Sequence, residues 1–329
     1  NPIAIVLIGL IVRILFLLFG AEIYYGKEDF HIGGDTNWWV VNIVNLIEHG
    51  VYTDSLNSEL GFFTRTPGYS FLIGFFYLIT GKNMDFALEI IPYFQVITDS
   101  ISIYLIYKIT FHIFKDYSTS VIVSLLYAFY PFILVWDVIV YAESFSIFLF
   151  LLSIFLMLNA KSKWQYLLIG IILSLAVLTR VQLILSIPIF GIILWWKSFK
   201  DIGSVINVNI CLFGLSIILV YGSWPIRNYV NHDKVIFSQH LGDRQPQYSQ
   251  IIKGDSAVVF PNSAYAYAPD SVLLDSMVNL ARTCGEGFSY FARSAGYRND
   301  VVIRGEDCNN TLVNLFDTLI LHQKQYNPM

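Results

Sequence analysis

The sequence contains few charged residues. Only 13% of its 329 residues are Asp, Glu, Lys or Arg, against about 25% in an ordinary soluble protein. Hydrophobic residues make up 56% of the chain, and the mean hydropathy is +0.59. This composition excludes a soluble globular protein and indicates an integral membrane protein. The formal net charge of −4 is small and argues against a nucleic-acid partner.

Cysteine and the familiar catalytic motifs are also scarce. Of the three cysteines, Cys211 lies in an apolar run, where inert packing is expected. Whether Cys284 and Cys308 pair depends on the compartment, so the sequence leaves that open. There is no Walker loop, dinucleotide fingerprint, zinc-protease motif or Cys-x-x-Cys pair, and the six histidines do not have the spacing of zinc ligands.

Long apolar runs dominate what remains. Each is about 16–25 residues long, which suits a membrane-spanning helix. We therefore expect an all-α polytopic membrane protein with about seven transmembrane helices. We interpret the first run as a true span, because it is long and uniform for a signal peptide. The runs cover residues 3–20, 90–114, 118–135, 142–159, 164–179, 182–197 and 204–223.

Lysines predict the orientation of these spans. They mark three short loops, which the positive-inside rule assigns to the cytoplasm. Residues 21–89 then form one external loop with interfacial helices, an amphipathic one at 36–48 and a short apolar one at 67–81. In the alternative topology, 67–81 spans the membrane and Asp35 and Glu143 lie on opposite faces. We prefer the first, because it gathers the ionisable residues on one face. The lysines are Lys108, Lys115, Lys161, Lys163, Lys197 and Lys200.

Two acids are the candidate catalytic residues. A hydroxyl nucleophile needs a carboxylate base within hydrogen-bond reach, and Asp35 and Glu143 lie where helices begin at the predicted outer edge. The competing explanations are structural, since Asp35 would cap helix 36–48 and Glu143 would interact with a helix dipole. Asp137 is expected to be solvated in a turn, and Asp99 to pair with a neighbouring helix.

Three arginines are the candidate phosphate ligands. Arg65, Arg180 and Arg227 lie at predicted helix ends near the same face. A guanidinium matches phosphate oxygens and stays charged at any working pH. The competing explanation for each is an interfacial arginine whose head reaches the lipid headgroups.

The composition changes after residue 223. Residues 1–223 form the predicted transmembrane domain, and residues 224–329 contain no apolar run long enough to span a membrane. We expect a small extramembrane region there, with amphipathic helices at 271–280 and 310–321.

The order of these features resembles the GT-C superfamily of membrane glycosyltransferases, which includes protein O-mannosyltransferases and aminoarabinose transferases that act on lipid A. The resemblance covers about residues 3–245. Relatives usually continue with more spans or a larger outer domain, so the chain is expected to be a short form or a truncated one. The matching pieces are Gly34-Asp35, Arg65-Thr66-Pro67-Gly68-Tyr69, Ala142-Glu143, Leu178-Thr179-Arg180 and Trp224-Pro225-Ile226-Arg227-Asn228-Tyr229.

This resemblance implies transfer of a sugar from a polyprenyl-phosphate donor to a hydroxyl of a protein, lipid or glycan. It places the site on the outer face of the plasma or cytoplasmic membrane, in the cell envelope. Asp35 would be the general base and Glu143 the second acid, and a single displacement would invert the sugar carbon. Arg65 would contact the donor phosphate, with Arg180 and Arg227 in matching motifs.

The sequence has no Asp-x-Asp motif near Asp35. We therefore expect neither a required metal nor a cofactor besides the donor. The alternative is a non-catalytic assembly subunit or a degenerate relative that binds a lipid. We favour the enzyme because both acids and all three arginines are present. A transporter is disfavoured, since no paired repeat or broken mid-membrane helix is evident.

Overall fold

The computed structural model divides the chain into two compact units, Asn1–Gly242 and Asp243–Met329. In the first unit it describes residues 2–25, 29–33, 35–54, 56, 62, 65–204, 207–233 and 235–237. In the second it describes the strands at 257–260, 285–288 and 301–304.

The described part of the first unit is helical. A π-helical segment, Phe16–Gly20, joins the first two helices, and a 3-10 segment, Val181–Leu185, precedes the tenth. The helices are α1 (Pro2–Leu15), α2 (Ala21–Tyr25), α3 (Thr36–His49), α4 (Pro67–Ile79), α5 (Met84–Phe114), α6 (Tyr117–Ala128), α7 (Pro131–Asp137), α8 (Ala142–Asn159), α9 (Lys163–Thr179), α10 (Ser186–Ile202), α11 (Val208–Val220) and α12 (Ser223–His232).

Five of the described helical segments are long and apolar enough to cross a membrane, and six if a bent pair counts as one span. The bent pair is α6 and α7, which meet at 52°, where Pro131 starts the second helix. The predicted total of about seven differs mainly at α9, which has 17 residues and falls among the shorter apolar helices. The prediction of an all-α polytopic membrane protein is confirmed for the first unit.

Local sequence signals set several helix ends. The Asn83 side chain accepts a hydrogen bond from Phe86 N and starts α5, while Asp116 accepts one from Thr119 N and starts α6. Such caps satisfy amide groups that have no partner within the helix. Gly50 ends α3 with a φ of +74°, in the left-handed region that glycine adopts without strain.

The short helix α4 does not reach the lysine end of the bundle. It has 13 residues, or about 20 Å, against a hydrocarbon core of about 30 Å. Gln95, in the first half of α5, already donates hydrogen bonds to the carbonyls of Asp137 and Ile139 at 2.9 and 2.6 Å. The segment from Arg65 to Gln95 therefore turns back at the end of the bundle where α8 begins.

Apolar clusters of buried residues hold the described helices together. One joins α8, α9, α10 and α11 through Met157, Leu173, Leu194 and Phe213. Another joins α1, α5 and α6 through Ile5, Ile103 and Ala128. Cys211 is exposed on α11 and takes no part in the expected packing.

A buried ion cluster also joins the first helices. Arg13 of α1 binds Asp99 of α5, with Nη2 2.6 Å from Oδ2, and Asp137 of α7, with Nε 3.1 Å from Oδ2. Tyr127 donates to the other Asp99 oxygen. The predicted pairing of Asp99 with a neighbouring helix is confirmed. The expectation that Asp137 is solvated is wrong, because its side chain is completely buried against Arg13.

The described residues of the second unit form three antiparallel strands in the order β1-β3-β2. They are β1 (Ala257–Phe260), β2 (Gly285–Phe288) and β3 (Val301–Arg304). The sequence analysis did not predict these strands. The helices expected at 271–280 and 310–321, and Cys284 and Cys308, lie outside the described residues.

Candidate active site

The loop before α3 is fastened to the turn that precedes α8. Val140 N donates to the carbonyl of His31 at 2.9 Å. Thr36 Oγ1 donates to the Val140 carbonyl at 3.1 Å, and Asp35 N donates to the Tyr141 hydroxyl at 2.8 Å. Because Glu143 follows Tyr141 by two residues, these bonds bring both predicted acids to one end of the bundle.

The Asp35 carboxylate faces Arg65. The residue occupies the N-cap position of α3, but no side-chain capping bond is found there among the described residues. Instead Oδ2 lies 3.0 Å from Arg65 Nη2. The Arg65 guanidinium also stacks on the Trp39 ring, 4.7 Å from its centroid, a cation–π contact that orients the head group. The helix cap therefore does not account for the Asp35 side chain.

Glu143 pairs with the second predicted arginine. Its Oε1 contacts Arg180 Nη2, while its buried Oε2 has no hydrogen-bond partner among the described residues. A close approach of two motifs places Arg180 near Arg65. A Cβ atom added to Gly68 would lie 2.5 Å from the backbone of Leu178 and Thr179, so only glycine permits this contact.

A small cleft separates the two arginines. Its walls carry two guanidinium groups, each already paired with a carboxylate. Such a cleft suits an anion that can share or replace the carboxylates as arginine partners. The lining residues are Trp39, Arg65, Thr66, Thr179, Arg180, Val181 and Gln182.

Arg227 is held by the loop of residues 21–89 instead. Its Nη2 donates to the Tyr52 carbonyl at 2.7 Å, and its Nη1 donates to the Phe62 carbonyl at 2.9 Å. The Tyr52 ring packs with Trp224 in an apolar cluster, and burial raises the pKa of the Tyr52 phenol. The neutral hydroxyl donates to Ser70 at 3.0 Å. Arg227 thus contacts the loop backbone rather than the cleft.

Three further residues support this arrangement, and the sequence analysis gave them no role. Tyr69 donates to Gln95 Oε1, which links the start of α4 to the turn that Gln95 holds. Tyr141 accepts a hydrogen bond from the backbone N–H of Asp35. The sequence offered only an indirect signal for these three residues, since each carries a polar group within or beside an apolar run.

Comparison with known protein families finds a match for the region that contains most of the cleft. Residues 64–224 match the family described as dolichyl-phosphate-mannose-protein mannosyltransferase. The match covers just under half of the chain. The family description indicates a membrane glycosyltransferase that depends on a polyprenyl-phosphate sugar. No curated protein and no solved structure matches the chain.

The match contains most of the cleft. Arg65, Glu143 and Arg180 lie within the matched residues, whereas Asp35 and Arg227 lie outside them. The assigned roles of all five residues remain predictions. The resemblance to the GT-C superfamily is confirmed.

Proposed function

We propose that the chain transfers a sugar from its polyprenyl-phosphate donor to an acceptor hydroxyl at the cleft between Arg65 and Arg180. The observation that carries the proposal is the convergence of these arginines, each paired with one of the predicted acids. Fixed positive charge stabilises the negative charge that develops on a phosphate leaving group.

Asp35 is the proposed base that activates the acceptor hydroxyl. Donor phosphate would take Arg65 as a partner in place of the Asp35 carboxylate, since a guanidinium pairs well with either anion. The released carboxylate then accepts the proton of the acceptor hydroxyl. The hydroxyl oxygen bonds to the sugar carbon while the bond from that carbon to the phosphate oxygen breaks, and polyprenyl phosphate leaves. This single displacement inverts the carbon.

Glu143 has a supporting role in this scheme. It holds Arg180 toward the cleft. Arg180 is proposed to contact the donor phosphate from the other wall. The predicted role of Arg227 in phosphate binding draws no support from its contacts with the loop carbonyls.

The lysine turns support a location of the site on the outer face. Lys197 donates to the carbonyls of Met157 and Leu158 at the far end of α8 from Glu143. If the positive-inside rule orients these lysines toward the cytoplasm, the cleft faces outside. Among the described residues no group of three or more His, Cys, Asp or Glu side chains could hold a metal ion. The proposed steps use only this chain's side chains and the donor.

The test is transfer by membranes that carry wild-type or Asp35→Asn protein. Radiolabelled dolichyl-phosphate-mannose is the donor, and label is measured in the protein, lipid and glycan fractions. We expect Asp35→Asn to lower transfer by about 10²–10⁴-fold, the usual contribution of a general base, with donor binding retained.

The control is Asp85→Asn, which changes an exposed acid in the first turn of α5. It should transfer at the wild-type rate. Undiminished turnover by Asp35→Asn would remove the base assignment. Wild-type protein that binds the donor but labels no fraction would overturn the proposed reaction and favour the lipid-binding alternative.

A further inference from the structure

Tyr141 connects the two acids of the proposed site. It precedes Glu143 by two residues, and its hydroxyl accepts the backbone N–H of Asp35 at 2.8 Å. We propose that Tyr141 is a positioning residue that fixes the Asp35 carboxylate relative to the donor. This inference rests on the proposed role of Asp35 as the base.

The packing around Tyr141 fixes its ring. Only 3% of the residue is exposed, and the rings of Trp39 and Trp136 meet it edge to face, with centroids 5.4 and 5.5 Å away. Trp39 also supports the Arg65 guanidinium. The same group of rings therefore orients the base, through Tyr141, and its arginine partner.

The backbone around Tyr141 is fixed as well. Gln95 is completely buried and donates to the carbonyls of Asp137 and Ile139. The hydroxyl that receives Asp35 thus projects from a turn that α5 holds in addition to the contacts from the loop.

The loop lies directly against the Tyr141 ring at Gly33. A Cβ atom added there would lie 2.2 Å from Cε2 and 2.6 Å from the hydroxyl oxygen. Any larger residue would push the loop, and with it Asp35, away from the turn. A shift of about 1 Å at a reacting group can lower the rate about 10²-fold.

The test begins with Tyr141→Phe, which retains the ring and removes the hydroxyl. Transfer from radiolabelled dolichyl-phosphate-mannose should fall about tenfold in kcat, the equivalent of one lost hydrogen bond, with an unchanged donor KM.

The matched control is Tyr25→Phe. The Tyr25 hydroxyl donates to the Val135 carbonyl at 2.9 Å, a bond of similar length that lies away from Asp35 in the chain. Tyr25→Phe should lower thermal stability slightly and leave kcat intact. If Tyr141 had only a structural role, both variants would behave in this way.

Gly33→Ala provides a second variant, which tests the inference even if Tyr141→Phe fails to accumulate. It should lower kcat by more than Tyr141→Phe, while Gly214→Ala, where an added Cβ meets nothing within 4 Å, should not. Wild-type kcat in both Tyr141→Phe and Gly33→Ala would overturn the inference. If Asp35→Asn is inactive at the same time, the proposed function still stands. Full transfer by Asp35→Asn would instead refute the base assignment itself.

Discussion

Arginine meets aspartate or glutamate in two contrasting settings in this molecule. In the ion cluster of α1, α5 and α7, the side chains of Arg13, Asp99 and Asp137 are completely buried. In the cleft, the Arg65 and Asp35 side chains are 16% and 26% exposed. The residue types are the same, but only the second setting allows a new partner to approach.

The difference separates a structural role from a binding role. The Arg13 head group also donates to the carbonyls of Gly9 and Ala128, so helix backbone and two carboxylates surround it. Replacing either acid with an external anion would require the helices to separate. Arg65 lines a small cleft and is partly exposed, so a new partner can reach it without separating the helices. Ionisable residues near membrane depth are functional candidates by default, and accessibility decides between binding and structure.

The largest effect that would test this contrast is expected from Arg13→Met. The substitution leaves two buried carboxylates without their cation, and breaking such a cluster costs about 3–5 kcal/mol in the free energy of unfolding. The variant should lose most of its thermal stability in detergent, as measured by the temperature at which it aggregates on size exclusion.

The control removes the whole cluster. Replacing Arg13 with Met and both Asp99 and Asp137 with Leu eliminates the unpaired charges, and apolar side chains of similar volume often substitute for a buried ion cluster without loss of stability. The triple variant should recover most of the wild-type stability. If Arg13→Met were as stable as the wild type, the ion cluster would not be what holds α1, α5 and α7 together.

The sequence analysis located the residues of the cleft better than those of the buried ion cluster. Apolar runs, lysine turns and the resemblance placed Asp35, Glu143, Arg65 and Arg180 at one end of the bundle, where the structure has them. Arg13 was not singled out, although an arginine inside the first apolar run needs a buried partner. Asp137 was misjudged because a turn in the sequence indicates solvent, whereas this turn packs against the loop of residues 21–89.

Other features depend on contacts between distant segments. The bond from Gln95 to the 137–139 turn joins residues more than forty positions apart, and no local pattern predicts it. The Val-Val and Val-Val-Ile runs of β1 and β3 are rich in β-branched residues, which favour strands. They are too short to distinguish a strand from an apolar loop by periodicity alone.

An intermediate effect is expected in the cleft from Arg65→Ala. Hydrogen bonds to charged groups contribute about 1.5–3 kcal/mol, so the donor Kd should rise about 10–100-fold. Thermal stability should change far less than in Arg13→Met, because the Arg65–Asp35 pair is partly exposed. Binding of radiolabelled dolichyl-phosphate-mannose to purified protein measures the first effect.

Arg65→Lys sharpens the result. It keeps the charge but loses the planar fork and the stacking on Trp39, so its donor Kd should lie between those of the wild type and Arg65→Ala. Unchanged donor affinity in both variants would assign Arg65 to the same structural class as Arg13.

The smallest effect is expected at the exposed pair of Glu48 and Lys82, which joins the end of α3 to the turn after α4 with a distance of 2.8 Å. The hydrogen bond from Lys82 lowers the pKa of Glu48 below 4.5, and Glu48 raises the pKa of Lys82 above 10.5. The stabilisation is therefore complete between these values. It is lost as the pH falls through the lowered pKa or rises through the raised one.

The difference in Tm between the wild type and Glu48→Gln measures this contribution. It should be small and constant across neutral pH, shrink at acidic pH, and shrink in about 1 M salt, which screens exposed charges. Glu89→Gln, at an exposed glutamate of α5, is the control and should show no such pattern. A difference that persists in acid and in high salt would mean that the Glu48 side chain stabilises α3 by packing. In that case the pair of Glu48 and Lys82 would have a structural role, like the buried ion cluster and unlike the partly exposed pairs of the cleft.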